Sequence, residues 1–224
     1  MKQEELNKIL CDHKLWLESK VEEGKQAFLE GADLKGAYLV GANLMSADLE
    51  DANLEGANLY GANLAYANLV AANLEGANLV ATNLKEVNLY GANLKIANLK
   101  EANLVATNLY NINLYNAILK GANLKGAYLI AAYLKGAYLE GANLEGANLE
   151  GADLRGANLE GANLIGANLV EANLKGAKFT YEIREARNFK YCEITKDQLP
   201  WLALHPKFSE FYPTFTVFEW TKNN

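Results

Sequence analysis

Leucine returns at every fifth position of this chain from Leu29 to Leu174, and Phe179 continues the series. The series comprises 31 consecutive five-residue units without an insertion. Alanine lies two residues before the leucine in 27 units, and the residue between them is asparagine in 21 units and aspartate in three. The unit is therefore Ala-(Asn/Asp)-Leu-x-x, and its last position is often glycine. So strict and so short a period indicates a repetitive structure in which every unit has equivalent surroundings.

The five-residue period matches neither of the regular secondary structures. In an α-helix of 3.6 residues per turn it would distribute the leucines around the whole circumference. In a long strand it would turn successive leucines to opposite faces. Within one unit, alanine and leucine are two residues apart, so on a short extended segment both point the same way. Glycine two residues after leucine suits a turn before the next unit, because it accepts a positive φ. We therefore predict a solenoid of stacked coils.

Units such as Ala52-Asn53-Leu54-Glu55-Gly56 and Ala57-Asn58-Leu59-Tyr60-Gly61 resemble those of the pentapeptide-repeat protein family. The resemblance implies an all-β solenoid, a right-handed quadrilateral (four-sided) parallel β-helix with four units and 20 residues per coil. Leucine and the alanine before it would lie inside, and the other three positions outside. At about 4.8 Å per coil, the units would make about 7.75 coils and a rod about 37 Å long.

A solenoid needs caps, because both ends expose open backbone and apolar core. We predict α-helical caps at both ends and divide the chain into residues 1–26 (a capping helix), 27–194 (the β-helix, regular to 179 with an irregular last coil) and 195–224. The first helix is expected over residues 1–24, with Gly24 as its stop and His13 packed beside the apolar stripe. That stripe consists of Leu6, Ile9, Leu10, Leu17 and Val21.

The last segment combines a short helix, expected over residues 196–204, with an aromatic tail. Two interpretations of the tail stay open: a cap folded over the last coil, or a homodimer contact across a two-fold axis. The resemblance supports the dimer, since dimers in the family often form through the C-terminal end. The candidate dimer residues are Phe208, Phe211, Tyr212, Phe215, Phe218 and Trp220.

Four units replace the inward alanine by a larger residue, and all four lie between residues 82 and 112. Because a second large side chain would overfill a narrow core, we expect either a locally swollen coil or simple repacking there. The four replacements are Thr82, Val87, Thr107 and Ile112.

The sequence offers little for catalysis. It has three serines, two histidines and two cysteines, with no nucleophile motif, phosphate-binding loop, dinucleotide fingerprint or metal-ligand spacing. We therefore expect no enzyme activity, no cofactor and no metal. Cys11 and Cys192 could form one long-range disulfide, but two reduced thiols are the preferred interpretation.

Charge and hydropathy restrict the partners and the compartment. The formal net charge of −6 argues against direct nucleic-acid binding. We expect that the charged N-terminus is not a signal peptide, and no apolar stretch approaches the roughly 20 residues of a membrane span. We expect a cytoplasmic protein with no membrane association.

One stripe of outward positions suggests a contact surface. With 20 residues per coil, residues 20 apart stack on one side of the rod. At the position after leucine, one such stack consists of Glu30, Glu50, Val70, Tyr90, Tyr110, Ile130, Glu150 and Val170. A contiguous exposed apolar patch can mark a binding site, although ordinary pairing between neighbouring coils would produce the same pattern. The candidate partner surface is Val70, Tyr90, Tyr110, Tyr128 and Ile130.

The favoured function is a non-catalytic interaction scaffold, forming a homodimer and binding a protein partner that the sequence does not identify. The alternative comes from the resemblance, since some family members bind DNA gyrase and topoisomerase IV as mimics of duplex DNA. Such mimicry needs dense negative charge, about 22 charges over 37 Å at one per ~1.7 Å. Residues 27–179 carry 15 acidic and 10 basic residues, which is far below that density.

Overall fold

The structure, a computed structural model, describes residues 1–20 and 22–179 together with residues 186, 192 and 198. It begins with one helix, α1 (Gln3–Glu18), and continues as a solenoid built of single-residue β-bridges separated by turns. Every bridge is parallel and joins a residue to the one 20 positions later, from Phe28 with Asp48 to Asn158 with Lys178. The predicted twenty-residue coil of four units is therefore confirmed.

A five-residue unit with asparagine before leucine satisfies all five of its backbone N–H groups, as the unit 52–56 shows. Ala52 N–H closes the preceding turn on Leu49 O (3.1 Å), Asn53 N–H reaches Ala32 O in the previous coil (2.9 Å), and Leu54 N–H reaches Asn73 O in the next (2.7 Å). The N–H of residue 55 bonds the side-chain oxygen of residue 53 (3.2 Å), and that of residue 56 bonds the carbonyl of residue 75 (2.9 Å). This complete pairing explains why so short a unit is a stable building block.

The core is one continuous stack of leucine and alanine side chains along the solenoid axis. The repeat leucines from Leu29 to Leu174 are at most 2 % exposed, and most of the repeat alanines are fully buried. Alanine at the first position leaves room for the leucines, because four large side chains per coil already fill the interior.

The larger residues at the alanine position are accommodated by a small local adjustment. Their turn hydrogen bonds lengthen to 3.2 Å at Thr82, 3.3 Å at Val87 and Thr107, and 3.4 Å at Ile112. The bonds between coils stay short, for example 2.9 Å from Asn83 N–H to Ala62 O. The extra volume therefore widens single turns and leaves the coil register intact. Both threonine hydroxyls donate to a leucine carbonyl 23 residues earlier, Leu59 O and Leu84 O.

Helix α1 packs against the first coil and supplies partners to backbone groups that a preceding unit or coil would otherwise satisfy. His13, fully buried, accepts from Ala27 N–H at Nδ1 (3.0 Å), and its Nε2 lies 3.1 Å from Met45 O. Gln3 bonds both backbone groups of Tyr38, donating to its carbonyl and accepting from its N–H. Leu6 is buried in the core, and Ile9 and Leu10 pack against it.

The predicted end of this helix is wrong by six residues. The helix stops at Glu18, because Ser19 forms its C-cap and Lys20 takes a left-handed φ of 57°. Gly24 has another role: a Cβ there would lie 2.2 Å from Asp12 O, so the glycine allows the returning chain to pass against α1. Of the predicted apolar stripe, Leu17 is half-buried and Val21 lies outside the described residues.

Only three residues after Phe179 are described, and two of them form side-chain hydrogen bonds to the solenoid. Cys192 is buried and donates its thiol to Leu169 O, 23 residues earlier, as the core threonines do. Gln198 is buried and donates to Leu174 O (2.6 Å) and Ala177 O (2.8 Å), which satisfies carbonyls in the last continuously described units. The predicted helix over residues 196–204, apart from Gln198, and the aromatic tail lie outside the described residues.

Candidate interaction surface

The twenty-residue register sorts the units into four columns, each a stack of units 20 residues apart. We number them by their first leucine: column 1 starts at Leu29, column 2 at Leu34, column 3 at Leu39 and column 4 at Leu44. In each unit the residue before leucine and the two residues after it form the outer surface. Column 1 thus runs through eight coils, from the unit at 27–31 to the unit at 167–171.

The sequence-predicted partner surface lies together in the middle of column 1. The rings of Tyr90 and Tyr110 stack in parallel, with centroids 5.4 Å apart and planes inclined by 3°. These two residues, Asn108, Tyr128 and Ile130 line one open depression of ≈ 650 Å³. Tyr90, Tyr110 and Tyr128 are 40–54 % exposed, whereas Val70, one coil earlier, is half-buried.

The outer asparagines stiffen this surface by hydrogen bonding from coil to coil. In column 2, Asn53, Asn73, Asn93 and Asn113 each donate their side-chain N–H to the side-chain oxygen 20 residues earlier, at 3.0–3.2 Å, back to Asp33. Column 1 has the same contact from Asn108 to Asn88 (2.9 Å), directly below the tyrosines. Such ladders of stacked amides hold the outer positions in register.

Sequence reasoning missed a second aromatic pair and its position. Tyr115 and Tyr133 stack in column 2 with centroids 5.8 Å apart, one coil along from the column 1 pair. The signal was present, because tyrosine replaces the ladder asparagine at 128, 133 and 138 in one coil. The apolar surface is thus a belt that extends from column 1 to its neighbours.

Sequence reasoning also missed how the charges divide among the columns. The outer positions of column 1 hold six carboxylates and neither lysine nor arginine: Glu30, Asp48, Glu50, Asp51, Glu150 and Glu171. The described ion pairs of the solenoid all lie in columns 2–4, for example Lys35–Glu55 (3.0 Å) and Lys125–Glu145 (2.9 Å). Among the described residues, no ion pair involves a carboxylate of column 1. Column 1 is therefore the uniformly acidic side of the rod.

The reactive groups of the described residues serve the fold. Burial raises the pKa of the Cys192 thiol to about 12, so it is protonated at neutral pH. Cys11 is an exposed free thiol, so the disulfide alternative is not formed. Desolvation lowers the pKa of His13, although its contact with the Met45 carbonyl acts in the opposite direction. No group of three or more metal-ligating side chains is arranged to hold an ion within the described ranges.

Two further expectations concern membrane association and the dimer contact. Within residues 1–20 and 22–179, no helix is both long and apolar enough to cross a bilayer. The candidate dimer residues, from Phe208 to Trp220, lie outside the described residues.

Comparison with known proteins assigns the family. The family model of pentapeptide repeats matches in eight copies, which together span residues 27–180. The chain therefore belongs to the pentapeptide-repeat family, and its fold class is a right-handed β-helix solenoid. No curated protein matches the chain.

Similar solved structures come from the same family. The pentapeptide-repeat protein Rfr23 from the cyanobacterium Cyanothece 51142 is 36 % identical, with 57 % of this chain and 91 % of that chain covered and a TM-score of 0.43. HetL from Nostoc sp. strain PCC 7120, involved in heterocyst differentiation regulation, is 36 % identical over 75 % of this chain and 82 % of its own, with a TM-score of 0.26. QnrB1, a plasmid-mediated fluoroquinolone resistance protein, is 16 % identical, covering 78 % and 92 %, with a TM-score of 0.46.

Proposed function

We propose that this protein is a non-catalytic interaction scaffold that binds a protein partner through column 1. The observation that carries the proposal is the convergence of Tyr90, Tyr110, Tyr128 and Ile130 on one exposed depression. Aromatic side chains on a rigid surface are the groups that most often anchor protein interfaces, since they bury a large area at a small loss of side-chain entropy. Within the described residues, the outer asparagines are used in ladders and turns, and several lysines and glutamates form ion pairs, which supports a non-catalytic role.

The test is affinity capture from the native host with the wild-type protein and a triple variant, Tyr90→Ser, Tyr110→Ser and Ile130→Ser. The partner should be lost from the variant, because these changes remove the centre of the surface. The matched control is Tyr60→Ser, Tyr66→Ser and Ile165→Ser, which changes three exposed apolar residues of columns 3 and 4. Retention of the partner by the first variant, or its equal loss from the control, would refute the assignment to column 1.

The proposal retains a homodimer formed through the aromatic tail, a four-sided cross-section and a cytoplasmic location. The density of aromatic residues between 201 and 220 supports the dimer, since it exceeds what one end of a narrow rod needs. Sedimentation of a chain ending at Leu204 tests it: the mass should fall to that of a monomer. An unchanged oligomeric state would show that the aromatic tail does not form the dimer contact.

Four turns per coil support the four-sided cross-section of the solenoid.

The alternative function, a DNA mimic that acts on gyrase or topoisomerase IV, gains one supporting observation. Among the described residues, the carboxylates of column 1 form no ion pair, so this side presents negative charge as a phosphate backbone does. Its charge density is the argument against mimicry, and this is taken up at the scale of the whole molecule below.

A further inference from the structure

The acidic residues of column 1 lie on both sides of its aromatic residues. Along the position after leucine, Glu50 and Glu150 stand at the two ends of the run Val70, Tyr90, Tyr110 and Ile130. The two glutamates are five coils apart, which at about 4.8 Å per coil is about 24 Å. Each end gains further negative charge, from Asp48 and Asp51 at one end and Glu171 at the other. The surface thus has an apolar centre between two anionic ends.

Both end glutamates are held in place by ladder amides. Asn68 Nδ2 donates to Glu50 Oε2 at 2.9 Å, and Asn168 Nδ2 donates to Glu150 Oε2 at 3.3 Å. The rings between them are fixed by the stacking of Tyr90 on Tyr110. A surface whose charged groups are already oriented loses less entropy when a partner binds. Glu150, Asn148 and Asn168 also line a second open depression on this column.

The backbone of column 1 is not open to an additional strand. In the central units of column 1, the N–H groups that form the ladder between coils are already used within the stack, so a strand cannot pair with them and a partner on this side is recognised mainly through side chains. An amphipathic helix meets that requirement, because its own backbone is satisfied and one face carries the contacts. At 1.5 Å per residue, a helix of about 16 residues spans the 24 Å between the glutamates.

We infer that column 1 binds an amphipathic helix of a partner protein that carries lysine or arginine at both ends of an apolar or aromatic centre. The charge complementarity follows from six carboxylates and no cation on this column, in a rod whose other columns neutralise most of their own charge. The inference rests on the proposed scaffold function and specifies the chemistry of the partner.

The test uses two synthetic helical peptides of identical composition with the intact protein. In the first, arginine pairs lie about 16 residues apart around a central stripe of leucine and phenylalanine; in the second, the arginines are central and the apolar residues terminal. The first should bind at least tenfold more tightly, and its affinity should fall with salt, since exposed charges are screened within about 10 Å at 0.1 M. Equal binding of the two peptides, or binding of neither, would overturn the inference.

Variants place the binding on the protein. Glu50→Gln with Glu150→Gln keeps the acceptor for each ladder amide and should weaken the first peptide at least tenfold. Glu55→Gln with Glu160→Gln makes the same change of net charge on columns 2 and 3, and its binding should stay within twofold of wild type. A thermal midpoint equal to that of the wild type shows that each variant is folded. If both pairs lose affinity equally, the contact is general attraction to an acidic rod and the inference is wrong.

The inference about the partner helix and the scaffold proposal can fail separately. If capture from the host depends on Tyr90 and Tyr110 but not on Glu50 and Glu150, the scaffold function stands and the cation-ended partner is refuted. If nothing is captured through column 1, the scaffold proposal fails, whatever the peptides do.

Discussion

His13 shows how a single side chain can join two elements by using both of its ring nitrogens. Because Ala27 N–H donates to Nδ1, that nitrogen carries no proton, and Nε2–H is the donor to Met45 O. Only the neutral ring can make both contacts. Protonation would place a second N–H against the N–H of Ala27, inside a fully buried position. The histidine is therefore a structural link between α1 and the first coil.

The stability of the cap should depend on pH through His13. Its pKa is lowered in the folded protein, chiefly by desolvation, from the ordinary value of 6.5. Above that value both states are neutral and the stability is complete. As the pH falls below it, the unfolded chain takes up a proton that the folded chain does not, so the free energy of unfolding decreases. The effect grows until the folded-state pKa is reached.

Denaturant unfolding at pH 7.5 and 5.5 measures this effect. The matched variant is His13→Gln, which can donate and accept but does not titrate in this range. The wild type should lose more stability between the two pH values than the variant does. Equal losses in both proteins would show that His13 does not control the pH dependence.

Ile96 occupies the most unfavourable backbone conformation for its residue type. It stands at the last position of its unit, where most units have glycine, and has a φ of 53°. A left-handed conformation costs an L-residue about 1–2 kcal/mol, and a β-branched side chain is especially unsuited to it. Ile96 is 51 % exposed, so burial of its side chain offsets only part of this cost.

Replacing Ile96 by asparagine should therefore stabilise the protein by about 1 kcal/mol, because asparagine accepts a left-handed conformation. The control is Ile165→Asn, which changes an isoleucine of equal exposure (52 %) that is not among the positive-φ residues. Denaturation midpoints of the two variants provide the comparison. If Ile165→Asn raises the stability as much as Ile96→Asn does, the effect comes from the more polar surface and not from relief of backbone strain.

At the scale of the element, the asparagine ladders have a direction. Each ladder amide donates toward the N-terminal coil and accepts from the next coil, so the first member needs no donor. All three aspartates at this position stand where no asparagine lies one coil earlier. Asp33 is in the first coil, Asp48 follows Phe28 and Asp153 follows Tyr133. Carboxylates fit these positions because they only accept.

The direction of the ladder predicts unequal effects for exchanging the two residue types. Asn73→Asp should cost about 1–2 kcal/mol, because it removes the donor to Asn53 and sets a carboxylate against the oxygen that accepted it. Asp33→Asn should change the stability by less than about 0.5 kcal/mol, since an amide oxygen still accepts from Asn53. Equilibrium unfolding of the two single variants is the measurement. Equal costs would mean that the ladder contributes little to the fold.

At the scale of the whole molecule, the net charge of the rod is concentrated on one side. Column 1 carries six carboxylates, and its first and last units are separated by seven coil spacings, about 34 Å at ~4.8 Å per spacing. Duplex DNA of that length presents about 20 phosphates. The acidic side is therefore too sparsely charged to replace DNA in a site built for a continuous phosphate backbone, and its aromatic centre has no counterpart there.

Purified protein at micromolar concentration should accordingly leave the supercoiling activity of DNA gyrase unchanged. The comparison protein is the variant Glu50→Gln with Glu150→Gln, which lowers the charge of column 1. Inhibition by the wild type that weakens in this variant would establish the DNA-mimic alternative and displace the scaffold proposal.

The local structure could be predicted from the sequence, since it depends on residues within one unit. Leu54 and Ala52 point inward because they are two residues apart on an extended segment, and residue 56 turns because glycine accepts its φ. The end of α1 was predicted less well. Glycine often ends a helix, so Gly24 was the expected stop, but the helix ends at Glu18 with Ser19 as its C-cap. Gly24 serves a close backbone contact with Asp12, which no local pattern encodes.

By itself, then, the five-residue spacing determined which side chains form the core and which form the outer wall, because inward and outward directions alternate within each unit. The spacing does not determine how many units close a coil; that number was expected only from the family resemblance, and the tertiary structure decided it and with it which outer residues become neighbours. Tyr90 meets Tyr110, and Glu50 shares a column with Glu150, because each coil closes after 20 residues and the backbone pairs coil to coil. That closure separates an acidic, aromatic column from three columns that balance most of their own charge. The binding function of the rod is proposed for the first of these, column 1.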